Sequence, residues 1–145
     1  MVSQDVEDVL RDAQVCRLGL ADGDEPYVVP LVYGYEDGSV YFHSGKGGRK
    51  LDMIRRNNRV CLEFEADVEL VPDEKACKWG VRYRSVIAFG HATVIDDPEE
   101  KVHGLNVMMR HYSGRSWDFP EQAVARTAVV RVDIESATCK SAKQH

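Results

Sequence analysis

The chain has 145 residues, 43% of them hydrophobic and 30% charged, and a formal net charge of −5 at pH 7. That size fits one domain, 1–145, able to bury a core without metals or disulfides. The acidic balance disfavours a general nucleic-acid surface though not a local basic site, no run approaches the roughly 18 apolar residues of a membrane span, and MVSQDVEDVLRDAQ lacks the basic start and apolar stretch of a secretory signal, so a cytoplasmic protein is expected.

Residues 4–13 place Val6, Val9, Leu10 and Ala13 at helical spacing, with Ser3 as cap. Val15–Leu20 reads as a strand, Asp22-Gly23 as a turn and Tyr27–Tyr35 as one further strand, in which Pro30 demands an edge or a bulge. Val40–His43 is a third strand, 49–56 a short helix carrying Leu51 and Ile54, and Arg59–Glu65 an alternating fourth strand. ADVELVPDEKACKWGV reads as a loop or broken strand, and Arg84–Ile95 as a long strand. Pro98 opens a helix over 99–112, capped by Asp96 or Asp97, with Val102, Leu105, Met109 and Tyr112 on one stripe. Residues 113–123 carry no period, Thr127–Ile134 is the last strand, and SATCKSAKQH is expected to be loose. The short turns between the first strands favour an antiparallel sheet over βαβ units.

Cys16, Cys61, Cys77 and Cys139 form no Cys-x-x-Cys pair, so no metal site is expected. Cys16 and Cys61 fall in strands and are expected to pack as small apolar groups, with Cys77 and Cys139 more exposed. Ser44-Gly45-Lys46-Gly47-Gly48-Arg49-Lys50 joins the third strand to the second helix. Its glycines expose backbone N–H groups at a helix start, and three basic side chains surround them, an arrangement suited to phosphate. It is not a P-loop, and a solvated turn flanked by helix charges is the other open reading. His43 ends the strand beside this loop, either as a ligand contact titrating near neutrality or as a structural histidine. Trp79, Tyr83 and Arg84 beside Ser85 could hold a planar group or simply pack.

PYVVPLVYGYEDGSVYFHSGKGGRKLDMIRRNNRVCLEF, then CKWGVRYRSVIAFGHATVIDDPEEK and AVVRVDIESATCK, resemble the pyridoxamine 5'-phosphate oxidase-like flavin-binding split-barrel superfamily over Arg17 to Lys140, and within it the group related to the 5-nitroimidazole resistance proteins. The resemblance implies a six-stranded antiparallel split β-barrel with flanking short helices. It also implies a homodimer holding flavin mononucleotide (FMN) at the subunit interface. Ser44, Lys46, Gly48, Arg49 and Lys50 would face the ribityl phosphate. Tyr41, Phe42 and His43 would run beside the flavin, and Ser85 and Val86 would line its ring. Trp79 and Trp117 are the candidates for second-subunit contacts, and His43 for a place near the reaction centre. Two departures stand out, Ser44-Gly45 for Ser-Ala and Cys139-Lys140 for Gly-Lys. The implied function is a flavin-dependent oxidoreductase of small molecules, nitro compounds being one substrate class. A flavin-storage or sensing protein without turnover, and a deazaflavin- or haem-binding relative, are the alternatives. The longer arginine-rich C-terminal segment of the true oxidases is not expected here, so their substrate site does not transfer.

Overall fold

The computed structural model describes residues 2–144, with side chains through 141. Helix α1 (Gln4–Asp12) starts where expected: the Val6 N–H donates to the Ser3 hydroxyl, and Val6, Val9 and Leu10 are buried. Strands β1 (Cys16–Asp22) and β2 (Glu25–Leu31) form a hairpin, followed by β3 (Gly34–Glu36), β4 (Ser39–Gly45) and α2 (Arg49–Arg56). Then come β5 (Arg59–Val71), a 3-10 turn (Ala76–Lys78), β6 (Gly80–Ile95), α3 (Pro98–Ser113), α4 (Glu121–Arg126) and β7 (Thr127–Gln144). Asp97 caps α3 through the Glu100 N–H, and Pro98 opens its first turn.

All pairings are antiparallel, as expected, but the six-stranded barrel is not what forms. The strands make one open seven-stranded sheet in the order β2-β1-β5-β6-β7-β4-β3, and its edge strands β2 and β3 do not pair. The cause lies in the run expected as a single strand, Tyr27–Tyr35. The Tyr33 hydroxyl turns to the end of α1, 2.6 Å from the Leu10 carbonyl oxygen and 3.0 Å from that of Ala13. Those are carbonyls that the helix end leaves without partners. The Tyr33 N–H donates to the Tyr112 hydroxyl on α3 instead of to a strand, and that hydroxyl donates to the Gln14 carbonyl. Pairing therefore stops at Leu31 and resumes at Gly34, on the opposite edge of the sheet. Pro30 does sit on an edge strand.

Three other expectations need correction. The stretch expected to be broken carries strand to Val71 past a bulge at Ala66/Glu69, where Asp67 has φ 56°. The C-terminal tail is not loose: β7 runs on beside β6 to Gln144, paired along that one edge, and of the tail only His145 lies outside the described residues. Helix α3 buries Lys101, Gly104, Leu105, Val107 and Met108, a broader set than the expected stripe, because it packs on the sheet and on α4 together.

Side chains alternate across the sheet into two cores. The inner face gathers Leu18, Phe42, Leu62, Phe64, Val86 and Val130 against α1 and α2. The outer face at the β4–β7 end gathers Tyr41, Ile95 and Val129 against Leu105, Met108 and Val124 of α3 and α4. Tyr41 and Phe42 alternate on β4 and so point to opposite faces. Both are buried, because α3 and α4 give the outer face a core of its own. Cys16 is fully buried and its thiol is pushed up to about 12 by desolvation, whereas Cys77 and Cys139 are exposed.

Candidate functional site

The site is built at the end of β4. On one side β4 pairs with β7 along its whole length, His43 lying opposite Val129. On the other side β3 pairs only as far as Tyr41, opposite Gly34. Beyond Tyr41, among the described residues, that edge has no strand partner, and the exposed end of the strand, His43–Gly45, is open to a ligand. His43 shares the outer face with Tyr41. It borders a cavity of about 250 Å3 whose other walls include Leu105, Met108, Phe119, Val124 and Thr127.

Gly48 caps α2 with φ 117°, a backbone conformation that side chains rarely adopt, and no side chain caps the helix there. The first N–H groups of α2 thus remain free beside Lys46 and Lys50. Among the described residues neither lysine has a carboxylate within 4.0 Å, and a Cβ at Gly45, Gly47 or Gly48 would meet nothing within 4 Å. Lys50 Nζ lies 5.8 Å from the Phe42 ring centroid, and partial burial holds its pKa down. Desolvation, and then the Lys50 charge, hold His43 below its ordinary 6.5, so the ring is neutral at pH 7 and offers one donor and one acceptor. This is an exposed, cationic, donor-rich loop and helix start of a kind that suits a phosphate monoester.

The remaining predicted residues divide. Arg49 turns away: its guanidinium lies 3.5 Å from Glu25 and 4.3 Å from the Tyr27 ring centroid, on the β2 side of α2. The Ser44 hydroxyl donates to the Gly45 carbonyl oxygen. Trp117 lies in the α3–α4 connection, with its indole N–H donating to Ser113 and the Arg115 guanidinium 3.3 Å over its ring, and lines neither cavity beside α3. The Val86 side chain is wholly inside the inner core. Ser85 faces outward on β6, but ten residues before Ile95, the residue opposite Val129, which is about 33 Å of extended strand. Trp79 is exposed just beyond the 3-10 turn, further along the same direction. One chain therefore brings together the β4 end, the loop, Lys50 and the α3–α4 connection, but not Ser85 and Trp79.

Sequence reasoning missed Phe119, Met108 and Val124, which meet His43 in space. Met108 was off the expected stripe, and Phe119 stands in a segment without periodicity. It also missed Glu25 and Tyr27, whose hold on Arg49 comes from the pairing of β2 with β1.

Comparisons with known proteins show what the chain as a whole is similar to. A family profile described as pyridoxamine 5'-phosphate oxidase matches residues 3–141. A solved structure of a candidate 5-nitroimidazole antibiotic resistance protein from Bacteroides thetaiotaomicron is 35% identical, with a TM-score of 0.86 over 99% of this chain and 86% of that one. An FAD-binding protein from Mesorhizobium loti is 25% identical, with a TM-score of 0.71 over 98% of this chain and 96% of that one. An uncharacterized protein of Rhizobium meliloti (strain 1021) is 30% identical over 64 residues, and the match spans 42% of that protein's length and 44% of this chain. Among the described residues no helix is long and apolar enough to cross a membrane. The profile spans nearly the whole chain, and the chain belongs to the pyridoxamine 5'-phosphate oxidase family, within the superfamily of flavin-binding split-barrel proteins.

Proposed function

We propose that the protein is a cytoplasmic oxidoreductase of small molecules that holds FMN by its phosphate at Lys46, Lys50 and the start of α2. The observation that carries this reading is the pair of lysines that, among the described residues, have no carboxylate within 4.0 Å, beside the uncapped start of α2 and the open edge of β4. Family membership and the named relatives support flavin as the phosphate-bearing group. When bound, the flavin supplies the electron transfer. The chain's own part is to orient and to solvate. The open β4 backbone offers hydrogen bonds along a planar ring, and the Lys46–Lys50 end fixes the phosphate. His43, neutral at pH 7, donates a hydrogen bond to a substrate in the adjoining cavity and so acts as a positioning group more than as an acid. Nitro compounds are the first acceptors to test, on the strength of the Bacteroides relative.

Absorbance of the purified protein during FMN titration tests the reading. Peaks near 370 and 450 nm with saturable binding are expected, followed by bleaching with a reduced nicotinamide and recovery with an acceptor. Bound flavin that photoreduction bleaches and no donor does would favour storage over catalysis. His43→Ala is expected to lower kcat at least tenfold while changing FMN affinity less than threefold. Unchanged turnover would remove His43 from the reaction.

We also propose a homodimer. Val28, Ile87 and Phe89 are large exposed hydrophobics on the part of the outer sheet face that no helix covers. A second copy on that face could carry its own Ser85 and Trp79 towards His43, which one chain cannot do. Phe89→Asp would bury a carboxylate in such an interface and is expected to halve the mass measured by light scattering at micromolar concentration. A wild-type protein that is monomeric under the same conditions would sink the dimer.

A further inference from the structure

Two cavities adjoin on the outer face. The smaller is the one bordered by His43. The larger, about 510 Å3, lies between α3 and α4 and is walled by Pro98, Val102, Phe119, Val124 and Ala125. Phe119 and Val124 line both. The larger one is within the roughly 300–1,000 Å3 of small-molecule sites.

Three charged residues border the larger cavity: Glu99, Lys101 and Glu121. Lys101 is only 7% exposed, and its ammonium donates to the carbonyls of Val124 and Thr127, at 3.3 and 3.0 Å. It is thus committed to holding the end of α4 against β7. Among the described residues no cation remains free in the larger cavity to receive an anion, and two exposed carboxylates on the rim repel one. The cationic groups, Lys46 and Lys50, belong to the phosphate end beyond His43. The polarity along the outer face is therefore fixed: phosphate end, imidazole, apolar trough, acidic rim.

We infer that the two cavities are the acceptor site, and that the acceptor is an uncharged, predominantly apolar small molecule. One polar group rests on the His43 imidazole and the apolar body lies along Phe119 and Val124. This inference rests on the flavin reading above and adds the class of substrate to it. Anionic acceptors are disfavoured by the acidic rim and the lack of a free cation, not by size.

The test uses N-phenyl-1-naphthylamine, uncharged and fluorescent in apolar surroundings, against 8-anilinonaphthalene-1-sulfonate, the same rings with one negative charge. Both are titrated into protein saturated with FMN, so that the sulfonate cannot borrow the phosphate end. One saturable site per chain is expected for the uncharged dye, at least tenfold tighter than for the sulfonate. Ala125→Trp, which fills the larger cavity, should weaken the uncharged dye at least tenfold. Glu99→Gln with Glu121→Gln should narrow the preference at least threefold. If Ala125→Trp does not fold, Ala123→Leu in the smaller cavity takes its place. The uncharged dye should also compete with the acceptor in turnover. Equal binding of the two dyes, or indifference to the cavity variants, would put the dye elsewhere, on the exposed sheet face for instance, and overturn the inference. So would loss of dye binding when FMN is added, since the cavities would then hold the flavin. Flavin binding without this dye pattern removes the inference alone. The dye pattern without flavin binding removes the flavin reading, and with it the acceptor role of the trough.

Discussion

Gly34→Ala is expected to lower the stability of the protein by about 3 kcal/mol or more, the upper end of the cost of overpacking a core. A Cβ at Gly34 would stand 2.5 Å from the carbonyl carbon and oxygen of Val107 and 2.6 Å from the Met108 nitrogen. These are backbone atoms of α3, so no side chain can swing aside. Nor can the helix slide. Glu36, two residues along β3, accepts hydrogen bonds from His103 at 2.8 Å and Arg110 at 3.1 Å, and Tyr112 is tied to Tyr33 and Gln14. The helix must lift, and it carries Leu105 and Met108, walls of the cavity beside His43. For a domain of this size 3 kcal/mol corresponds to a fall in Tm of about 6–12 °C. Urea unfolding followed by circular dichroism measures it. Gly47→Ala is the control: nothing lies within 4 Å of its Cβ, and a change within about 0.5 kcal/mol is expected. Equal midpoints for Gly34→Ala and wild type would show that β3 and α3 do not approach so closely.

Gly34 also marks the limit of what the sequence conveys. The local signals were clear where a short stretch decides its own structure. Ser3 caps α1, Asp97 caps α3, and α2 falls on 49–56 as read. The sheet's antiparallel character followed from short turns. What periodicity could not show is that Tyr33 would break a nine-residue apolar run and send its halves to opposite sheet edges, because the reason is a pair of hydrogen bonds to the end of α1, 20 and 23 residues earlier. The tail was misjudged for a related reason. SATCKSAK has little apolar character, and it is held by the β6 ladder, a partner that its own composition does not announce. The site divided along the same line. The loop from Ser44 to Lys50 was legible because glycines and basic residues cluster in sequence. Its neighbours Phe119, Met108 and Val124 converge only through the packing of α3 and α4 on the sheet. Arg49 and Lys50 are adjacent and looked equivalent, yet a helix sends successive side chains about 100° apart. One meets Glu25 and Tyr27, and the other stays beside Phe42 and His43.

That divergence makes Lys50→Ala the decisive substitution for the flavin reading. A direct charge-assisted contact to phosphate contributes about 1.5–3 kcal/mol, so FMN affinity is expected to fall about 10- to 150-fold. Arg49→Ala should cost less, since its guanidinium is already engaged by Glu25 and Tyr27. Riboflavin, which lacks the phosphate, should bind wild type and Lys50→Ala alike, and a loss equal for both flavins would mean damage to the fold instead. Proton titration of the His43 ring by NMR gives a second readout. Desolvation and Lys50 depress its pKa below 6.5. Between that depressed value and 6.5 the unfolded chain binds more protons than the folded one. The stability contributed by neutral His43 is therefore present above about pH 6.5 and lost as the pH falls through its folded pKa. A phosphate dianion beside Lys50 opposes the lysine's field, so FMN should move the His43 midpoint up. Lys50→Ala should move it up in the absence of any ligand, and FMN should then shift it less. A midpoint indifferent to both the mutation and FMN would separate Lys50 and His43 from the phosphate, and the flavin would have to be held elsewhere on the chain.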